Sequence, residues 1–394
     1  MNYQQLLDAV KNAAALRLRV RLQPMYGAGE IIFPPTYLGG GYLTAPRRIP
    51  GYVQSVSCTV IDSVQSQANR MEDALIGDIR ANLLNLPHVV TDFTKVPDLP
   101  KEVGRISSLE APHRIFDAII RDSEYNGTRF PYTEAGKAVV AANAKNATAL
   151  FRHDPTSILF GSWDSTGVSG GLGEKYTRCV VSELVAVNVE TGTRKGTKVD
   201  PLNISSGVGI TRNEKDKLDW DVKGEAKAKG VLRPSEINHG SIPYPEESKA
   251  DMNGGITCDY VQQATTISLP ALRQLKFPME GKQDTDAAAH AVLAAIALHA
   301  AALNVQKGWH LRSRCDLVLD DGQGLDWDLL GGAGGKMTLS VEATRKLLQE
   351  AILAAKKAGL PWEDKPLELV PSKPLATLVR ESQKKQRESD AAAE

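Results

Sequence analysis

Residues 16 to 22, LRLRVRL, alternate strictly, with Leu16, Leu18, Val20 and Leu22 on one face of an extended chain and Arg17, Arg19 and Arg21 on the other. A period of two predicts a half-buried strand. Two readings of its arginine row stand, a solvated face and a face turned to a polyanion such as RNA. Residues 33 to 52, FPPTYLGGGYLTAPRRIPGY, hold too many Pro and Gly for a regular element, so a loop bearing Arg47 and Arg48 is expected. Val53 to Ile61 is rich in β-branched residues and predicts a second strand. Asp62 then stands as a helix cap with Gln65 three residues on, a capping-box arrangement. Behind it Val64, Ala68, Met71, Leu75 and Ile79 recur at spacings that build one buried helical stripe. Gln65, Ser66, Gln67, Asn69 and Arg70 fall off that stripe and crowd the helix start, where free backbone N–H groups and the macrodipole favour an anion.

From 84 to 160 the pattern is mixed and polar, with helices expected around PHRIFDAIIRDS and EAGKAVVAANAKNATALF. SILF then predicts a short apolar strand, 167 to 173 a glycine-rich loop, and Arg178 to Val189 a long strand. Residues 192 to 255 show little periodicity and much Gly, Pro, Lys and Asp, the composition of a long insertion or loops. GGITCDYVQQATTISLPALRQLKFP predicts strand followed by a short helix capped at Ser268. After an alanine-rich helix over 286 to 303 come a strand, SRCDLVLD, and a helix from about 340 to 358. Beyond Pro361 the composition turns to Lys, Pro, Glu and Ser, and a disordered tail is expected over 361 to 394. No internal repeat is visible.

The alanine helix nearly reaches the roughly 17–25 residues of a bilayer span, but alanine is weakly apolar and His290 and His299 interrupt it, so a buried helix of a globular fold is expected and no membrane role. Lys and Arg total 47 and so do Asp and Glu, which means that any basic surface is a local patch. Cys58, Cys179, Cys258 and Cys315 lie far apart without metal spacing, pointing to reduced thiols in a cytoplasm. The N-terminus has no secretory-signal pattern.

Most catalytic signatures fail on spacing. GGAGGKMT at 331 to 338 lacks the four-residue spacer of a P-loop, and GGLGEK at 170 to 175 puts Glu174 before Lys175. Asp316, Asp320, Asp321, Asp326 and Asp328 suit either magnesium or an Asp-rich turn, and the turn is preferred. The seven histidines are scattered, and no serine sits in a nucleophile elbow. Neutral amides, hydroxyls and N–H groups remain, which suit phosphate oxygens and 2′-hydroxyls of a single RNA strand. A polar helix start packed on a neighbouring loop explains SVQSQANR equally well.

The runs DSVQSQANRMEDAL, SLEAPHRIFDAIIRDS, ILFGSWDSTGVSGGLGEKYTRCVVSELVAV, KVDPLNI and GGITCDYVQQATTISLPALRQLKFP, in this order over roughly residues 15 to 320, closely resemble the CRISPR-associated RAMP backbone subunit of type I-G (formerly I-U) complexes, the Cas-seven or Csb-one family. The resemblance implies an α+β, RRM-like (ferredoxin-like) RAMP core over residues 1 to 360. Large insertions would give a hand-like subunit, with a thumb or helical insertion within 84 to 160 and further loops over 192 to 255. It implies a non-catalytic subunit without cofactor or metal, stacked in several head-to-tail copies along a guide RNA (crRNA) that pairs with target DNA. Its partners would be a large subunit, a guide-processing and capping subunit, and a recruited helicase-nuclease. Under it, Ser63, Gln65, Ser66, Gln67, Asn69 and Arg70 are expected at the guide backbone, then Lys175 and Arg178, then Arg47, Arg48, Arg114 and His239. The rival expectation is a RAMP ribonuclease, for which His113, Asp164 and Asp320 are the residues to test.

Overall fold

The computed structural model describes residues 1–37, 40–97, 99, 103–168, 173–193, 200–213, 218–226, 230–240, 253–282 and 285–391. The chain divides into two compact units, Met1–Glu190 with Ile256–Ala376, and Thr191–Gly255 with Thr377–Glu394.

A curled antiparallel sheet of nine strands organises the first unit. In chain order these are β1 (Ala15–Pro24), β2 (Thr44–Arg47), β3 (Val56–Asp62), β4 (Val180–Val187), β5 (Tyr260–Ser268), β6 (Trp309–Arg312), β7 (Cys315–Leu319), β8 (Asp326–Leu330) and β9 (Gly335–Thr338). They run β6-β7-β1-β5-β4-β3-β2, with β8 also beside β1 and β9 beside β8. The alternation of β1 is realised as expected, because Leu16, Leu18, Val20 and Leu22 are buried and lie opposite Ile267, Thr265, Gln263 and Val261 of β5. One face of the sheet is therefore covered. The covering helices are α1 (Tyr3–Asn12), α2 (Val64–Arg80), α3 (Leu269–Gln274, capped by Ser268 as expected), α4 (Thr285–Lys307) and α5 (Val341–Lys357).

Helix α4 is the expected alanine helix, and every residue from Ala288 to Val305 is buried. A helix apolar on all sides sits within a core. The small side chains let α1, α2 and α5 all pack against it. Its two histidines are satisfied internally, His290 at the Leu275 carbonyl (2.9 Å) and His299 between Asp78 and Thr344 (3.0 Å each).

Several expectations are corrected. Within the Pro- and Gly-rich run 33 to 52 lies β2, an edge strand that tolerates Pro46 because the outer side of an edge needs no ladder donor. SILF is the end of a short helix, Pro155–Leu159, because Asp154 caps it through the Ser157 N–H. The run around Ile115 breaks into a 3-10 turn (Arg114–Phe116) and a four-residue helix (Ala118–Arg121), Asp117 capping the second. The alanine-rich run after Glu134 breaks into Glu134–Ala141 and Thr148–His153. The expected tail contains a strand, Leu367–Pro371, and a helix, Lys373–Ala391. That strand is held because Leu367 and Leu369 run parallel to Val89 and Thr91 in a second, five-stranded sheet. All four cysteines are free thiols, and three are buried.

The second unit contains most of the expected insertion. Its described residues include a hairpin, Val208–Arg212 with Trp220–Glu225, and a 3-10 turn, Pro234–Ile237.

Candidate nucleic-acid interface

Among the described residues, the sheet face opposite the helices is the more open one, partly covered by a small cluster, Cys58, Val185 and Val187 packed by Ile49, Tyr52, Val56 and Tyr260. Arg17, Arg19 and Arg21 project there at steps of two residues, about 6.8 Å apart along a strand. Arg17 pairs with Asp328 at 3.0 Å, and Arg21 lies 4.2 Å over the Tyr260 ring. Arg19 is exposed and forms no ion pair among the described residues. Across the strands Arg19 faces Ala264, and Ala264 faces Glu183 of β4. Glu183 in turn accepts from Arg47 of the edge strand at 3.0 Å, a bond that pushes the guanidinium pKa up. Arg48 beside it is exposed, without an ion pair among the described residues.

The β3–α2 junction borders this face. Ser63, not Asp62, is the N-cap, its Oγ accepting the Ser66 N–H at 3.3 Å. Asp62 is buried at the strand end instead, where its carboxylate accepts from Gln67 Nε2 (2.5 Å) and Arg70 Nε (2.9 Å). The loop tyrosine Tyr37 lies near Ser63 at this junction. Its own hydroxyl pKa is raised by burial first and then by Asp62 and Glu183, so the loop, the junction and the Arg47 pair form one neighbourhood. Gln65 and Asn69 are exposed, while Ser63, Ser66 and Arg70 are half-buried.

Gln67, expected off the buried stripe, is wholly buried. Its Oε1 accepts from Gln263 (2.9 Å), Ser182 (3.1 Å) and Asn304 (3.1 Å), tying α2 to β4, β5 and α4. Four buried partners leave its amide nothing to offer a ligand. Arg114 is corrected in the same way. It is buried, bonds Glu72 through two parallel contacts (2.6 and 2.7 Å), and gives Nη1 to the Gly161 carbonyl (2.7 Å). Burial pushes the Glu72 carboxyl up to about 7, against the pull of Arg114.

The second-tier residues lie elsewhere. Lys175 is exposed, 5.5 Å over the Trp163 ring, on a hairpin whose connecting glycine-rich loop lies partly outside the described residues at 169–172. Arg178 is exposed, and partial burial and neighbouring Arg114 lower its pKa. Its stem lies over Gly161, where an added Cβ would stand 2.9 Å from Arg178 Cγ. His239 belongs to the second unit, its ring 5.5 Å from Trp220.

The carboxylates and histidines do not converge on one centre. Asp328 is held by Arg17, Asp316 by His310 and Tyr26, and Asp326 by Thr338. His113 uses its backbone N–H on Asp117, Asp164 is raised by burial, and Asp320 sits in the turn after β7. Among the described residues no group of His, Cys, Asp and Glu has metal-binding geometry. Tyr37, Glu183 and Tyr260 are the site residues that sequence reasoning missed, since only strand pairing and the loop path bring them to the arginines.

The architecture is thus an α+β chain with helices on one sheet face and an arginine-bearing open face on the other. Residues 16–191 match the family model described as CRISPR-associated protein GSU0053, a similarity confined to that stretch. No curated protein matches the chain.

Proposed function

We propose that the chain is the guide-RNA backbone subunit of a type I-G surveillance complex in a prokaryotic cytoplasm. The observation that carries this reading is the open sheet face, where Arg17, Arg19 and Arg21 share one sheet with Glu183 of the Arg47–Glu183 pair two strands away and with β3, which leads into α2, three strands away. Cations spaced along one strand, bordered by hydroxyls and amides, suit a sugar-phosphate backbone and read no base edges. Sequence is then read by pairing between guide and target DNA, with protein holding the guide. The RRM-like core, the hand with its thumb, and the partners belong to the same proposal: large subunit, guide-processing and capping subunit, helicase-nuclease, and further copies of this chain. So does a subunit that binds without cleaving. Copies repeating along one guide require a head-to-tail interface, which generates an open stack.

The contact set is Ser63, Gln65, Ser66, Asn69 and Arg70 with Arg17, Arg19, Arg21, Arg47 and Arg48. Gln67 and Arg114 support it from within. Co-expression with its partners and a CRISPR array, followed by sequencing of co-purified nucleic acid, tests the reading. Discrete guide-length RNA in a particle far heavier than one chain is expected, and a nucleic-acid-free monomer overturns it.

A further inference from the structure

On the helical side of the first unit, away from the arginine face, a cleft of about 550 Å3 opens between the end of α1, the segment after α3 and the start of α4. Lys11, Arg273, Lys276 and Lys282 line it, against Asp286 as the one carboxylate among the described lining residues. Arg273 is fixed to the wall, its Nη1 donating to the Val10 and Ala13 carbonyls at 2.9 Å each. Asp286 is already used, because it pairs with Lys276 at 3.2 Å and accepts the Phe277 N–H at 2.7 Å. Lys11 and Lys282 are exposed and form no ion pair among the described residues. The Lys282 stem is steered by packing at Gly359, where an added Cβ would lie 3.1 Å from Cε. Val10, Pro278, Met279 and Ala287 give the cleft an apolar wall.

Two free ammonium groups over an apolar wall, with a third cation fixed in place, ask for a compact anion that carries a flat apolar body. We propose that this cleft binds a nucleotide-sized phosphate ester, its phosphates between Lys11 and Lys282 and its base against Met279 and Pro278. The volume lies within the roughly 300–1,000 Å3 of small-molecule sites, and lysine ammonium groups act on phosphate as point charges. A free mononucleotide and the terminal nucleotide of a single strand share this chemistry. The site is independent of the guide surface, which lies across the sheet.

Calorimetric titration of the full chain with ADP, pyrophosphate, a 5′-phosphorylated octanucleotide and a poly-glutamate peptide tests the assignment. The octanucleotide is titrated into an Arg19→Ala/Arg21→Ala background, in which the guide surface is weakened, and the part of its binding that Lys11→Glu/Lys282→Glu removes in that background is the part assigned to the cleft. ADP or the octanucleotide is expected to bind, whichever is tighter naming the source, and Lys11→Glu/Lys282→Glu is expected to weaken it at least about tenfold. Guide-RNA affinity in that variant is expected to stay as in the parent. No binding of either nucleotide probe, or equal binding by parent and variant, overturns the proposal. Preference for poly-glutamate also overturns it and assigns the cleft to an acidic protein segment.

Discussion

Arg114 grips Glu72 through two parallel hydrogen bonds of 2.6 and 2.7 Å, with both side chains buried. The pair joins the 3-10 turn before helix Ala118–Arg121 to the middle of α2, and its third bond, to Gly161, reaches the chain that leads to β4. Arg114 holds a left-handed backbone (φ 56°) to make this reach. Removing one partner leaves the other buried and uncompensated, so Arg114→Met is expected to cost about 3–5 kcal/mol. The double variant Arg114→Met/Glu72→Met is expected to recover part of that loss. Urea unfolding of the three proteins checks it, and an additive double variant would mean the two charges do not depend on each other.

Gln67 distinguishes support from direct RNA binding. Gln67→Ala removes a bond from each of Asp62, Ser182, Gln263 and Asn304; Asp62 keeps Arg70, Ser182 keeps Thr265 and Gln263 keeps Ser182, so the cost falls mainly at Asn304, at about 1–3 kcal/mol for a buried group left unsatisfied. A lowered melting temperature with unchanged guide affinity per folded molecule is expected. Loss of affinity at full stability would return Gln67 to the ligand surface.

The open face is tested through salt. Arg19→Ala and Arg21→Ala are expected to weaken single-stranded RNA of every sequence alike and to flatten the plot of log affinity against log salt by about 0.7 for each phosphate that is no longer neutralised. Filter binding at several salt concentrations measures both. A weakening confined to one base composition would indicate base reading.

Three buried histidines set an acid limit. Burial lowers the pKa of His153, His290 and His299 below their ordinary 6.5; Arg152 adds to this at His153, and Asp78 works against it at His299. A group whose folded value is depressed contributes stability that is present above the unfolded value and lost as pH falls through the folded one. Unfolding free energy is therefore expected to hold above about pH 7 and to fall below about 6.5, by up to about 1.4 kcal/mol per pH unit for each histidine. His299→Gln is expected to make the acid limb shallower. Urea titrations between pH 5 and 8 measure both.

What is legible in the sequence is whatever rests on one local period. The alternation of β1, the Ser268 cap, the alanine helix and α5 are each set by residues within a few positions of one another, and the structure has each where the pattern puts it. The β3–α2 boundary differs by one residue because Asp62 and Ser63 are both good caps. Which of them caps is decided by Arg70 and by Gln67, itself held from β4, β5 and α4. Gln67 looks polar and therefore exposed, since nothing near it in sequence announces Gln263 or Asn304. The Leu367–Pro371 strand is hidden for the same reason, its partner being Val89–Asp92 far back along the chain.

The pairing of β1 with β5 joins Ala15 to Ser268, about 250 residues apart. A ribosome adding about 5–20 residues per second leaves β1 without that partner for roughly 12–50 seconds, its leucines exposed and its arginine row already free to meet RNA. Loop closure over such a span is entropically costly and slow. The chain thus exposes its cationic strand before it has a sheet to set it in, and whatever shields β1 in that interval becomes a timing factor in making the protein.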